Sequence, residues 1–512
     1  MIAKRGSEIV RTSTESSLGG VLSALSLVKK KASSNIPADH DEAYEVGASL
    51  QIQHGFGCSG CTYDSIQSFQ TARNPIKEEN CDRVLYRMGK KICIYDPDLD
   101  ETVFLKADRK NPCTKIHHFS ISMSGNLLSV CESAQINREA ESKAQISIYS
   151  LQIHQKLSTC SYETNGDFIC SAFCGDTKYV AALCLEETEH TLILWSWKHE
   201  KLHKLVHIPL SQRTLKLSCP PSTDVIISVA GSATIKLWYV GVDNSMKNLS
   251  VVPLSKDHHQ RVIDHAWLTP TNNIQKFAAL VESDIADPQK KLSVLIFEAT
   301  EESVYRESDY ITPHFELRQT IAVASAHHSL RMHHITRTSK GFLGMGTRGY
   351  LVLYEKTEEK KTSYSELITL RVGDEENLTA ATVVPSEGKL VVFSESTTRL
   401  ISIPLPALTG LERDLDSSEQ TSAMTPADLT FNGYHSQGVV GADIALLKPL
   451  LVTISSDCNA RVWNYETMRC LLVQVAAINI VHHSFELVFV FYRSSEWKTR
   501  ELCPSIRLEL KC

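Results

Sequence analysis

The chain has 512 residues, room for about three ordinary domains, and its 42% apolar and 22% charged composition is globular, which excludes wholesale disorder. Lys+Arg 53 against Asp+Glu 59 leaves a net charge of -6, so attachment to nucleic acid by bulk positive charge is excluded. Fifteen cysteines, an odd number at irregular spacing, do not read as a secreted disulfide framework; reduced thiols in a cytosolic compartment fit better.

Residues 1–80 are Ser-rich and carry no repeat pattern, so they read as a poorly ordered lead-in. The apolar run at 21–28 (VLSALSLV) is far short of a membrane helix and has its charges, Lys29-Lys30-Lys31, on the wrong side for a secretory signal. No membrane insertion is expected, and the lysine triplet reads as a solvated linker. Cys58 and Cys61 form a lone CxxC; a zinc ribbon needs a second pair and a redox motif needs a βαβ context.

From residue 81 a short pattern recurs: β-branched or leucine residues alternate with others, end in an aromatic and meet a polar turn. It ends at Tyr95, Tyr149, Trp195, Trp238, Phe297 and Tyr354, degenerates around Ile403 and returns at Trp463, eight times with gaps of about 43 to 60 residues. Period-two alternation marks half-buried strands. Hairpin signals lie upstream, clearest at Ser124-Gly125-Asn126, Gly175-Asp176 and Ser386 to Gly388, where Gly, Asn and Asp tolerate positive φ. Three or four strands per unit at this period predict an all-β, WD40-type β-propeller over residues 81–410, with seven blades.

Five histidine doublets invite a metal reading: His117-His118, His258-His259, His327-His328, His333-His334 and His482-His483. Adjacent strand residues point to opposite faces, so a doublet cannot give one ion two ligands, and no metal or cofactor is expected. Residues 341–349 are glycine-rich but open no helix, so they read as a strand end and hairpin, not a phosphate loop. Residues 355–377 form a charged blade loop, and residues 411–433 an acidic linker.

The unit at 434–475 carries His435, Ser455, Asp457 and Trp463, each where a WD repeat keeps its internal hydrogen-bond chain. Asp accepts from imidazole, imidazole from hydroxyl, and hydroxyl from indole N–H, so a Trp and a His can be buried together. The same residue types suit a hydrolase triad, but an Asp in a hairpin turn and a chain ending on Trp give no exposed nucleophile or oxyanion hole. Elsewhere the Asp position, six residues before the aromatic, holds Ser232 and Arg348, so those blades rest on apolar packing. The tail at 476–512 shows no further repeat.

His435-Ser436, Gly441 to Asp443, Lys448 to Leu450 and Arg461 to Glu466 resemble the opening blade of the second propeller in a family of ciliary WD-repeat proteins. Residues 120–149, 173–198 with Trp195 and Trp197, and 339–356 resemble it in the same order, so the likeness spans about residues 80–472. It implies a first propeller followed by one blade of an incomplete second. It also implies a non-catalytic scaffold of the ciliary or flagellar axoneme, at the cytoskeleton, with inner-arm dynein and doublet proteins as partners. The rivals are a WD-repeat adaptor outside cilia, such as a ubiquitin-ligase receptor or trafficking scaffold, and a propeller hydrolase with polar groups converging on its central channel.

Overall fold

The computed structural model describes most of residues 66–404 and 434–475. It adds short strands at Leu22–Leu25, Ile52–Phe56, Ala427–Asp428, Phe489–Val490 and Arg507–Leu508. The chain divides into two compact units, residues 21–436 and residues 437–512 with 1–20.

In the larger unit the described residues form seven four-stranded antiparallel sheets, each built from four strands consecutive in sequence. The first strand of each lies on the inside: Ile66–Asn74, Cys113–Ile121, Asp167–Cys174, Thr214–Ser218, Gln260–Trp267, Met332–Arg337 and Leu378–Val383, for sheets 1 to 7 in order. The recurring aromatics fall on the third strand of sheets 1 to 6, for example Tyr95 within Lys91–Asp96, Trp195 within Glu189–Ser196 and Tyr354 within Tyr350–Lys356, and the degenerate Ile403 falls on the third strand of sheet 7. That placement explains why sheet 1 begins at Ile66, inside the lead-in. The repeated signal marks a third strand, and two strands must precede it.

Both faces of the middle strands are buried, so the sheets read as near-continuous apolar runs; Tyr179–Leu185 and Val225–Gly231 are examples. Each apolar cluster sits between neighbouring sheets. Phe69 and Ile94 of sheet 1 pack on Phe119 and Val130 of sheet 2, and Phe168 and Trp195 of sheet 3 pack on Ile146 and Ile148 of sheet 2. The same arrangement continues round the unit to Leu353 of sheet 6 against Leu390 of sheet 7. Finally Ala380 and Phe393 of sheet 7 pack on Ile66 and Tyr86 of sheet 1, which closes the ring. The Ser68 hydroxyl meets Thr382 Oγ1 at 2.8 Å across that closure and also donates to the Val383 carbonyl. Sheets twisted this way around an axis make a β-propeller of the WD-repeat kind.

The turns obey the sequence chemistry. Gly125 has φ 73° in the hairpin of sheet 2, and Gly175 has φ 58° ahead of Asp176 and Thr177, both also at positive φ. A Cβ at Gly175 would lie 2.7 Å from Val225 of the next sheet, so the glycine also permits close approach. Residues 341–349 are a buried second strand, Gly341–Gly346, followed by a turn, as their composition suggested.

In the smaller unit the described strands form one four-stranded sheet, Val439–Ile444, Leu450–Ser455, Asn459–Asn464 and Arg469–Val475, and a two-residue pairing of Phe489–Val490 with Arg507–Leu508. No helix among the described residues is long and apolar enough to cross a membrane.

Candidate functional site: the channel and its joints

The inner strands surround a cavity of about 950 Å³ to which all seven sheets contribute, from residues 67–70 of sheet 1 to 382–385 of sheet 7. Its lining runs from mid-strand to the turns that follow the inner strands, so it opens on the face carrying those turns. Among the described residues, eleven lining side chains are Ser or Thr, Lys216, Arg337, His118, His265 and His334 join them, and none is Asp or Glu.

Behind this wall, polar side chains stitch neighbouring sheets. Gln67 of sheet 1 donates through Nε2 to the Phe119 carbonyl at 3.0 Å and accepts from the Ile121 N–H at 2.7 Å, acting as an extra strand pairing for sheet 2. His118 Nδ1 accepts from the Ser171 N–H at 3.2 Å, joining sheets 2 and 3.

The densest joint is Asp264, whose side chain is 0% exposed. One carboxylate oxygen accepts from Lys216 Nζ and from the His265 N–H, both at 2.8 Å. The other meets His334 Nδ1 at 2.6 Å and accepts from the Ile335 N–H at 2.9 Å. Lys216, Asp264 and His334 belong to sheets 4, 5 and 6, so one carboxylate holds three sheets together. Four donors saturate its lone pairs, which is what burying a charge demands.

On the neighbouring residues the inner strand turns toward sheet 4. Trp267 Nε1 donates to Ser228 Oγ at 2.9 Å, and His265 Nε2 lies 2.8 Å from the same oxygen. Ser228 spends its own proton on the Ser218 carbonyl at 2.8 Å, so His265 carries its hydrogen on Nε2 and donates. Ser and His are thus at catalytic distance, yet Ser228 is fully buried and its proton is spent on a carbonyl, so the pair is a joint and not an exposed nucleophile with its base. Nearby, His117 Nε2 approaches both Ser133 Oγ at 3.0 Å and Asp167 Oδ1 at 3.3 Å. One ring nitrogen facing both partners is not the relay of a triad, which needs the carboxylate on the other nitrogen.

The sequence placed a hydrogen-bond chain at His435, Ser455, Asp457 and Trp463. In the smaller unit Trp463 is buried, but its indole N–H donates to Thr453 Oγ1 at 2.8 Å, the place the sequence reading gave to Ser455. The register gives the reason. Trp463 pairs with Leu451 and Thr453 with Arg461, so Thr453 is the diagonal neighbour, while Ser455 lies at the turn. Ser455 Oγ accepts from the Asp457 N–H at 3.2 Å, and Asp457 Oδ1 from the Asn459 N–H at 3.0 Å, so both brace the hairpin. His435 is grouped with the larger unit.

The described doublets split between faces: His117 meets Asp167 while His118 meets Ser171, and His334 meets Asp264. The other three doublets, Cys58 with Cys61, and Lys29 to Lys31 lie outside the described residues. Among the described residues no cluster of three or more His, Cys, Asp or Glu could hold a metal. Reasoning from sequence missed Ser228 with His265 and Trp267, although His-x-Trp on a strand does put both side chains on one face.

No protein-family model matches the chain. It is similar to cilia- and flagella-associated protein 57 of Mus musculus, 22% identical over 363 residues, which cover 65% of this chain and 28% of the relative. It is also similar to cilia- and flagella-associated protein 57 A of Tetrahymena thermophila, 23% identical over 249 residues, covering 48% and 17%. The chain therefore spans about a quarter or less of the length of these curated relatives. Among solved structures, the Cps50 (Swd1) β-propeller domain of Myceliophteria thermophila matches 63% of this chain and 93% of its own at 13% identity and a TM-score of 0.43.

Proposed function

We propose that the chain is a non-catalytic WD-repeat scaffold of the ciliary or flagellar axoneme. The observation that carries this is the similarity to cilia- and flagella-associated protein 57, which covers 65% of the chain. The ring suits the role: rigid sheets hold turns of varied sequence at fixed places around a broad face. Polar groups do converge on the channel, as a propeller hydrolase would require. The Ser–His pair there is sealed and the buried carboxylate is saturated, which favours the scaffold.

The finer reading is that the chain assembles or regulates inner-arm dynein and meets axonemal doublet proteins at the cytoskeleton; the family resemblance of residues 80–472 supports it. The proposed organisation is a propeller at about 81–410, an acidic linker at 411–433 and one further blade at 434–475; sheet 1 extends the propeller back to Ile66, and Ala427–Asp428, the fourth strand of sheet 7, takes part of the linker into it. The test is localisation of the tagged full chain in a ciliated cell with pull-down of dynein heavy chains. Axonemal signal and dynein recovery are expected. Diffuse cytosolic signal would instead favour a non-ciliary adaptor.

A further inference from the structure

Sheet 3 carries opposite charges at its two ends. Its strands are Asp167–Cys174, Tyr179–Leu185, Glu189–Ser196 and Lys201–Pro209, so its first and third turns share one end and its middle turn lies at the other. At the first end stand Lys178, Lys198, Lys201 and Lys204, the first three exposed. Trp197 Nε1 donates to the Thr177 carbonyl at 2.6 Å, which ties the two turns into one surface. Lys178 and Lys198 lie over the rings of Tyr179 and Trp197, at 5.1 and 5.7 Å. Among the described residues no carboxylate is within ion-pair reach of these four lysines. Asp176 and Glu200 share the end, and Glu200 is engaged by the Thr159 N–H at 3.1 Å. At the opposite end stand Glu163, Glu186 and Glu187, with no cation in ion-pair reach among the described residues; Glu186 accepts from the hydroxyls of Thr164 and Thr191. Asp167 and Glu189 add to them, beside Lys115 at 3.9 Å and His207 at 2.8 Å. A ring at each end registers the sign. Burial, then Lys204, Lys178 and Lys201, holds the pKa of His203 below its ordinary value, whereas burial, then Glu186, Cys184 and Glu189, pushes that of Tyr162 up.

From this polarity we infer that the larger unit docks head to tail on a second copy of the chain, the lysine end of sheet 3 in one copy meeting the acidic end of sheet 3 in the next. The inference goes beyond the scaffold reading and does not depend on it. The two ends cannot neutralise each other within one chain. Tyr179–Leu185 has seven residues, roughly 23 Å at about 3.3 Å each, against a screening length of about 8 Å at physiological salt. A second copy displaced along the strands brings the ends face to face, so the complementary surface is supplied by the chain itself. Each end also offers an exposed leucine for apolar contact among the charges, Leu202 at 43% and Leu185 at 42%. The two surfaces differ, so the contact is heterologous and grows beyond a dimer into an open chain or a closed ring. The end of one sheet is small beside a standard protein interface, which makes the contact weak and salt-sensitive.

The test is sedimentation velocity of the purified full chain from about 5 to about 200 μM. In 50 mM salt the weight-average sedimentation coefficient is expected to rise with concentration past that of a dimer; in 300 mM salt, where the screening length falls to roughly 6 Å, the rise should be lost. Two variants remove one end each: Lys198→Glu with Lys201→Glu, and Glu163→Lys with Glu187→Lys. All four residues are exposed, and circular dichroism confirms that both variants are folded. Each alone should associate at least tenfold more weakly than the parent. Mixed in equal amounts they should associate again, because the first keeps its acidic end and the second its lysine end. Arg318→Glu, on the outer strand of sheet 5, should behave as the parent. A parent that stays monomeric throughout overturns the inference and leaves the lysine end to an acidic partner of another kind. Association that stops at the dimer, that ignores either variant, or that fails to return in the mixture overturns it in favour of a different self-contact. None of these readouts moves with the location of the tagged chain, so the ciliary reading and the head-to-tail contact stand or fall separately.

Discussion

Asp264→Ala should destabilise the larger unit more than any exposed-charge substitution on it. The change removes four acceptor contacts at once and leaves the Lys216 ammonium, 12% exposed, beside the backbone N–H groups of His265 and Ile335 with no carboxylate. Breaking a buried ion pair from one side costs about 3–5 kcal/mol, mostly the desolvation of the charge left behind. With the unfolding entropy per residue scaled to a unit of this size, each kcal/mol moves the midpoint by roughly 1.3 °C, so a fall of about 4–6 °C is expected. Asp264→Asn keeps the shape and one accepting oxygen but turns an NH2 toward half of the donors, and should fall between, at roughly 1–3 kcal/mol. The control is Arg261→Ala, which breaks an ion pair to Glu282 whose arginine is 66% exposed and should cost less than about 1 kcal/mol. Differential scanning fluorimetry of all three variants reads the order. An Asp264→Ala midpoint within 1 °C of the parent, or no lower than that of Arg261→Ala, would refute the claim that this carboxylate joins three sheets.

In the smaller unit Thr453→Val leaves the Trp463 indole N–H without its acceptor at 2.8 Å and should cost about 1–3 kcal/mol, whereas Ser455→Ala costs less. Hydrogen exchange of the strand Asn459–Asn464 should quicken in the first and barely change in the second; the reverse order would restore Ser455 as the partner. Gly346→Ala would put a Cβ 2.0 Å from the Arg331 carbonyl of the paired strand and should lower the midpoint by an amount in the overpacking range of about 1–3 kcal/mol. Gly441→Ala, which meets nothing within 4 Å, is the neutral comparison, and equal effects would contradict the packing at Gly346. Burial holds the pKa values of His117, His203 and His333 below the ordinary 6.5, with nearby cations adding to the shift. The unfolded chain therefore binds more protons below that pH, so this share of stability is intact above about pH 6.5 and is lost as pH falls through the lowered folded values. Midpoints measured from pH 7.5 to 5 should drop, and His333→Asn should flatten the slope; a midpoint that rises on acidification would falsify the assignment.

The fold was legible because propeller strands advertise themselves locally. Alternation ending in an aromatic, followed by a Gly/Asn/Asp turn, is written within some ten residues, and every such signal landed on the third strand of a sheet. The same locality hid where sheet 1 begins, since its first strands, Ile66–Asn74 and Glu79–Met88, carry no aromatic stop. The site was less legible for a related reason. The contacts that matter in the channel join residues far apart in sequence: Lys216 to Asp264, Asp264 to His334, Ser68 to Thr382. No period within one repeat encodes such a pair, because each partner belongs to a different sheet.

The position of those joints also bears on why the Asp, His and Ser pattern has faded from most repeats. A WD repeat uses that chain to bury polar groups near its turn and so hold a sheet to its neighbour. Here sheets 4 to 6 achieve the same end through the inner strand of sheet 5, where Asp264 is shared by three sheets and His265 and Trp267 both donate to Ser228 on the second strand of sheet 4. With the channel wall pinned in this way, apolar clusters between sheets carry the rest. The buried carboxylate therefore has two effects at once. It ties the inner strands of three sheets to one another, and it neutralises the Lys216 ammonium behind the wall.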